Sequence, residues 1–256
     1  MRDDPRVPEV SPPVYDDIGR TYTSTRREDP RIASAIHVCL GSGRSVLNVG
    51  AGTGSYEPAD RFVVGVEPSL EMLRQRPKAR APVLRAVAEA LPVPDLAFDV
   101  AMAVLTMHHW RDVDGGLREL RRVSRRQVVL FFEPLHSHGF WAVEYFPEAV
   151  QTPSERDAPG EAALRRVLRV REIRPVLVPH DCIDGFGAAY FGRPEAYLRP
   201  EVQAGMSWLA LLEPDARQRG TERLAADLAS GAWDRKHGAL RDTEWFDGGY
   251  RIAIAD

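Results

Sequence analysis

Three glycines at alternate positions, Gly50, Gly52 and Gly54, follow the apolar run Ser45–Val49, and Glu67 closes the next apolar run, Arg61–Glu67. Bare backbone in such a loop lets a ligand approach closely, because a Cβ there would collide with it. A carboxylate at the end of the second run is placed to accept both hydroxyl protons of a ribose. Charge-assisted bonds of that kind contribute roughly 1.5–3 kcal/mol each. The pair predicts a nucleoside site. Its spacing disfavours a nicotinamide cofactor, since dinucleotide loops carry glycine at the first, third and sixth positions, and the sixth here is Ser55.

Histidines supply the other chemistry. His108-His109 follows the run Phe98–Leu105, His136 and His138 follow Val128–Glu133, and His180-Asp181 follows Ile173–Val178. An imidazole with a pKa near 6.5 can remove a proton from a substrate. His109 and His180 are the first candidates for a general base, followed by His136, His108 and Asp181.

These residues need a scaffold. Short apolar runs at Ser45–Val49, Arg61–Glu67, Val83–Val87, Phe98–Leu105, Val128–Glu133 and Ile173–Val178, with helical patterns between them, read as buried strands of a largely parallel sheet. The crossovers are Pro68–Gln75, Asp112–Ser124 and a stretch from Gly139 to Arg169. Asp112 is the expected N-cap of a helix that buries Val113, Leu117, Leu120 and Val123. Pro30 opens an earlier helix with Ile32, Ile36 and Leu40 on one face, stopping at Gly41. Arg193–Gly238 reads as helical, with Leu198, Val202, Met206, Leu209 and Leu212 on one face, before Gly249–Ala255 returns as a strand. Gln151–Gly160 is the expected mobile loop. The pattern is doubly wound α/β, in which ligands collect at the carboxyl ends of the strands.

The 256 residues carry 34 basic and 37 acidic side chains, a net charge of -3. There is no broad basic field for a polyanion, so nucleic acid is disfavoured as a partner. Of the basic residues only Lys78 and Lys236 are lysines. Hydrophobic residues make up 44% of the chain, enough for a core without disulfides, so Cys39 and Cys182 need not be structural. The acidic, proline-rich opening has no apolar core of an export signal, and no run reaches 18 apolar residues, which predicts a cytoplasmic protein without a membrane span.

The segments VLNVGAGTG, VVGVEPS with Met72, AVAEALPVPD with FDVAMAVLTMHHW, and LRELRRVSRRQVVLFFEP resemble, in order and spacing over about residues 15 to 135, the class I S-adenosylmethionine-dependent methyltransferases. The likeness is to their small-molecule branch, which includes quinone-biosynthesis enzymes. It implies a Rossmann-like seven-stranded sheet, mostly parallel with an antiparallel last strand, an N-terminal helical cap over residues 1–43, a cofactor core over 44–135, an acceptor side and helical lid over 136–248, and the final strand over 249–256. It implies S-adenosylmethionine as cofactor and a small organic methyl acceptor as partner. By the likeness Gly50, Ala51 and Gly52 face the methionine part of the cofactor, Glu67 binds the ribose, and Pro68, Ser69, Met72, Ala88 and Glu89 lie along the adenine. Leu105 covers the methionine side, and Tyr22 and Arg26 close over the cofactor, with Arg26 near its carboxylate. The sequence departs from the family in the seven residues Ser55–Arg61, which hold at most a turn or two where a long first helix is usual, and in Val87, where many relatives have an aspartate. Rival readings are a non-methylating protein or cyclase on the same fold, a nicotinamide-linked oxidoreductase and a tRNA-modifying enzyme.

Overall fold

The computed structural model describes residues 25–134 and 139–256. Tyr22, His136 and His138 therefore lie outside the described residues.

Among the described residues nine strands form: β1 Ser45–Val49, β2 Phe62–Val66, β3 Val83–Leu84, β4 Phe98–Val104, β5 Ser124–Phe132, β6 Val170–Pro175, β7 Val178–Pro179, β8 Trp245–Phe246 and β9 Tyr250–Ala255. Seven of them build one sheet in the order β3-β2-β1-β4-β5-β9-β6. Strands β1 to β5 pair in parallel, and β9 runs antiparallel to both β5 and β6. After β3 the chain crosses to the far side of β1. Hence the crevice outside the carboxyl ends of β1 and β4 is the topological switch point, the place where such sheets bind ligands.

Side chains alternate between two cores, as a pleated strand requires. On one face Val46, Val63, Val100, Met102, Val128 and Leu130 pack with Ile32 and Ile36 of helix α1, Pro30–Cys39. On the other, Leu47, Val49, Val66, Ala101, Ala103 and Val129 meet Leu117 and Leu120 of a later helix, Val113–Val123. Capping fixes where both helices start. Asp29 accepts the Arg31 N–H at 3.0 Å just ahead of α1. Asp112 accepts the Gly115 N–H at 2.8 Å ahead of Val113–Val123.

Several expectations shift. No helix at all forms between β1 and β2, because Pro58 and the left-handed backbone of Tyr56, φ 65°, hold Ser55–Arg61 as turns. Instead, a buried ion pair occupies this corner: Arg76 Nη2 donates to Glu57 at 2.7 and 2.8 Å, and Asn48 Nδ2 donates to the same carboxylate at 3.1 Å. The expected strand Ile173–Val178 divides, with β6 in the sheet and Val178 in a separate two-stranded ribbon, β7 with β8. The insertion is several short helices rather than a continuous one, since Pro200 and Gly205 interrupt it, and its one long helix is Pro214–Ala229. Its apolar face nevertheless turns inward, with Val202, Met206, Leu209 and Leu212 all buried. Among the described residues no helix is long and apolar enough to cross a membrane.

Candidate active site

The glycine loop closes on itself through the end of β2. Gly50 and Ala51 both donate to the Val66 carbonyl, at 2.8 and 2.9 Å. Gly50 has φ 72°, and a Cβ there would lie 2.1 Å from Thr106 Oγ1 in the loop after β4. This contact brings the β1 and β4 loops together. We expect Gly50→Ala to cost about 2–5 kcal/mol, combining left-handed strain with the clash, measured by urea unfolding. A loss under about 0.5 kcal/mol would show that the loop relaxes around a methyl group.

Gly52 differs, because at φ 50° a Cβ would meet nothing within 4 Å. Its bare backbone faces open space at the switch point. Below it the Glu67 carboxylate, 6% exposed, accepts the Gly52 N–H at 2.8 Å with Oε2 and the Ser69 N–H at 2.9 Å with Oε1. Each carboxylate oxygen can accept more than one hydrogen bond. Thus Glu67 ties the loop to the helix Leu70–Gln75. Ser69 caps that helix, its Oγ accepting the Met72 N–H at 3.2 Å, and Met72 is buried. The Pro68 carbonyl accepts from Arg85 Nε at 3.3 Å. Ala88 is buried, and Glu89 Oε1 accepts the N–H groups of Arg111 and Asp112, at 2.7 and 3.2 Å. That oxygen therefore anchors the segment entering Val113–Val123.

Beyond Leu105, whose own backbone is left-handed at φ 49°, lies a cavity. Its walls are Leu105, Phe132, Phe186, Met206, Trp208 and Tyr250, and Arg26, His108, Glu155 and Ser207 also line it. Arg26 is held there: its Nε donates to Asp184 Oδ1 at 2.6 Å, and the Tyr56 hydroxyl donates to Asp184 Oδ2 at 2.6 Å. Thr25 adds a backbone bond, its carbonyl accepting the Gly185 N–H at 3.0 Å. The turn that replaces the first helix thus helps fix Arg26 through Asp184.

Of the histidines, His108 lines this cavity, with its ring 4.9 Å from that of Phe132 and 3.8 Å from that of His109. His109 stands behind it. Burial, with the positive charge of Arg26 adding to it, lowers the His109 pKa to about 4, and burial holds His108 well below the ordinary value. Both rings are neutral at pH 7 and poor at holding a proton. His180 does not line the cavity; its ring packs edge-on against Phe191, 5.8 Å between centroids, beside the position of Gly192. The ribbon strand β7, which the apolar run did not separate from β6, carries it there. Asp181 instead pairs with Arg31 at 2.6 Å in solvent.

The lowered His109 value fixes a sign. The unfolded chain binds its proton below about pH 6.5 and the folded chain only below about 4, so this contribution is complete above 6.5 and is lost as pH falls toward 4. We expect His109→Asn to flatten the stability profile between pH 6.5 and 4.5 by up to about 1.4 kcal/mol per pH unit, read by urea unfolding at several pH values. A variant profile parallel to the parent's would refute the assignment.

Glu155 is the residue the sequence reading missed. It sits in the segment expected to be a mobile loop, yet Thr152, Ser154 and Glu155 are buried, the last at 3% exposure. A helical turn, Pro153–Arg156, presents it. The signal available was Thr152-Pro153, a residue pair that opens helical turns. Phe140, Trp141, Tyr145, Phe146 and Phe191 belong to the core cluster, where their rings meet those of Tyr197, Trp208, Trp233 and Phe246, Trp141 lying 5.3 Å from Trp233 and Tyr197. The aromatic side chains that line the cavity are Phe132, Phe186, Trp208 and Tyr250.

Residues 47–132 match the family described as a methyltransferase domain. Over 217 residues the chain is 34% identical to the malonyl-[acyl-carrier protein] O-methyltransferase of Halorhodospira halophila, covering 70% of this chain and 71% of that one. The chain belongs to the class I S-adenosylmethionine-dependent methyltransferases. A crystallised protein of Anabaena variabilis, described as a methyltransferase from an antibiotic biosynthesis pathway, is 34% identical and superposes with a TM-score of 0.82, over 91% of this chain and 99% of that one. The demethylmenaquinone methyltransferase of Deinococcus radiodurans is 32% identical over 146 residues, which span 51% of this chain and 61% of the relative. This methyltransferase is of the small-molecule type, and its cofactor is S-adenosylmethionine. The open backbone at Gly52 above the Glu67 carboxylate suits the approach of a nucleoside.

Proposed function

We propose that this methyltransferase holds S-adenosylmethionine along the switch-point crevice and methylates an oxygen, nitrogen or carbon of a partly apolar metabolite seated in the cavity beyond Leu105. The carrying observation is that this cavity joins apolar and aromatic walls to a buried carboxylate and a fixed guanidinium. In this reading Gly50, Ala51 and Gly52 lie along the methionine part, Glu67 accepts from the ribose, Pro68, Ser69, Met72, Ala88 and Glu89 border the adenine, and Arg26 meets the cofactor carboxylate. Bound there, the cofactor supplies an electrophilic methyl group, displaced in line from its sulfonium.

The chain's own contribution is alignment and exclusion of water. Leu105, Phe132, Phe186 and Trp208 shape an apolar wall, and Arg26 is held still by Asp184 and Tyr56. Where the acceptor loses a proton, Glu155 takes it. His108 positions the acceptor in its neutral form, and His109 supports His108 from behind. An oxygen acceptor is the first to try, because the Halorhodospira relative is named an O-methyltransferase. The whole chain acts as one catalytic domain in the cytoplasm, a placement supported by two free, buried cysteines.

Thermal unfolding tests the cofactor half. S-adenosylmethionine or S-adenosylhomocysteine at about 100 times a typical Kd adds about 2.7 kcal/mol and should raise the midpoint by several degrees, with NAD leaving it unmoved. Formation of S-adenosylhomocysteine in step with a methylated carboxylic acid, phenol or amine tests the rest. A cofactor-driven shift without product from any acceptor class would instead favour a non-methylating protein.

A further inference from the structure

A second pocket lies against the outer side of the acceptor cavity and has no role in the reading above. It encloses about 430 Å³, and Thr25, Arg27, Tyr190, Arg193, Arg199 and Glu201 line it. Three consecutive residues divide the work: Arg26 lines the cavity, while Thr25 and Arg27 line the outer pocket. The wall between the two is thin. Gly205 faces the cavity, and a Cβ on it would lie 2.2 Å from Thr25 Oγ1.

The pocket's charge is unbalanced, with three guanidiniums against the single carboxylate of Glu201, which reaches Arg199 Nε only at 4.0 Å. Arg193 is fixed in place. Its Nη2 donates to the carbonyls of Cys182 and Ala189 at 2.8 and 2.9 Å, and its guanidinium carbon sits 4.7 Å from the Tyr190 ring centroid. Arg199 approaches the same ring at 6.0 Å. Two polar atoms here, Arg193 Nε and Thr25 Oγ1, are buried without a hydrogen-bond partner among the described residues. Buried donors without partners are costly, and oriented guanidiniums match the oxygens of phosphate and carboxylate groups. In a chain of net charge -3 this local excess of positive charge stands out.

The geometry points to an oxyanion-binding subsite beside the acceptor cavity: the outer pocket holds the phosphate or carboxylate group of an anionic ligand. That it stands next to the acceptor rests on the reading of the cavity as the acceptor site.

The test is isothermal titration of the full chain at low ionic strength with inorganic phosphate and, separately, with acetate, in the parent and in the double variant Arg27→Gln/Arg199→Gln. Both substituted side chains are exposed, so the fold should persist, and S-adenosylmethionine affinity is measured alongside as a control. Saturable binding in the parent, weakened at least about tenfold in the variant with cofactor affinity unchanged, supports the subsite. Preference for phosphate identifies a phosphorylated ligand, and preference for acetate a carboxylic acid. Absence of saturable binding by either anion, or equal binding in parent and variant, overturns the proposal. Failure of the cofactor reading would show separately, as absent S-adenosylmethionine binding in the parent.

Discussion

Glu67→Ala is expected to weaken S-adenosylmethionine binding by roughly 10- to 150-fold, the equivalent of about 1.5–3 kcal/mol. Two effects combine. The substitution removes the acceptor proposed for the ribose hydroxyls, and it frees the N–H groups of Gly52 and Ser69, which the carboxylate now holds at 2.8 and 2.9 Å. The loop proposed to face the cofactor thereby loses its anchor. Glu67→Gln separates the two effects. Its amide oxygen can still accept one N–H, but its NH2 meets the other as donor against donor. It should therefore fall between the parent and the alanine variant. Calorimetric titration decides the matter: a Kd for Glu67→Ala within twofold of the parent removes the residue from the cofactor site.

Glu155→Gln should lower turnover about 10²- to 10⁴-fold on an acceptor that must lose a proton, while cofactor affinity stays within about twofold. Burial holds the His109 pKa down to about 4 and that of His108 well below its ordinary value, so neither ring keeps an imidazole's usual advantage in basicity over a carboxylate. Glu155 is the carboxylate among the described residues lining the cavity. Its charge is close enough to Tyr250 to add to the burial that raises that phenol's pKa. The amide of glutamine keeps the shape and loses the basicity. A variant that turns over at the parent rate but needs more acceptor would reduce Glu155 to a binding group. Weakened S-adenosylmethionine binding would make it a structural support of the crevice.

The strand-loop-strand unit from β1 to β2 was legible in the residues because its requirements are local. An apolar run buried on both faces, a loop where Gly50 needs a left-handed backbone and Gly52 an open approach, and an acid at the next strand's end are each set by a few neighbouring residues. Helix starts were legible for the same reason, since Asp29 and Asp112 satisfy backbone donors within three residues of themselves. The antiparallel last strand and the identity of the cofactor came with the family resemblance.

Placement across the insertion was not legible. Whether His108 or His180 faces the cavity depends on which strand each follows, and the break between β6 and the β7 ribbon is created by pairing with β8, more than sixty residues later. Glu155 looked like a loop residue because charge, proline and glycine surround it, and only packing among Phe186, Trp208 and Tyr250 places it in the cavity. Arg26 likewise gains its fixed position from Asp184 and Tyr56, distant in sequence from it and from each other. The half proposed to hold the cofactor is written in short-range backbone geometry, which sequence encodes directly. The acceptor half is assembled from long-range side-chain contacts, whose free energy exists only once the insertion has folded onto the sheet.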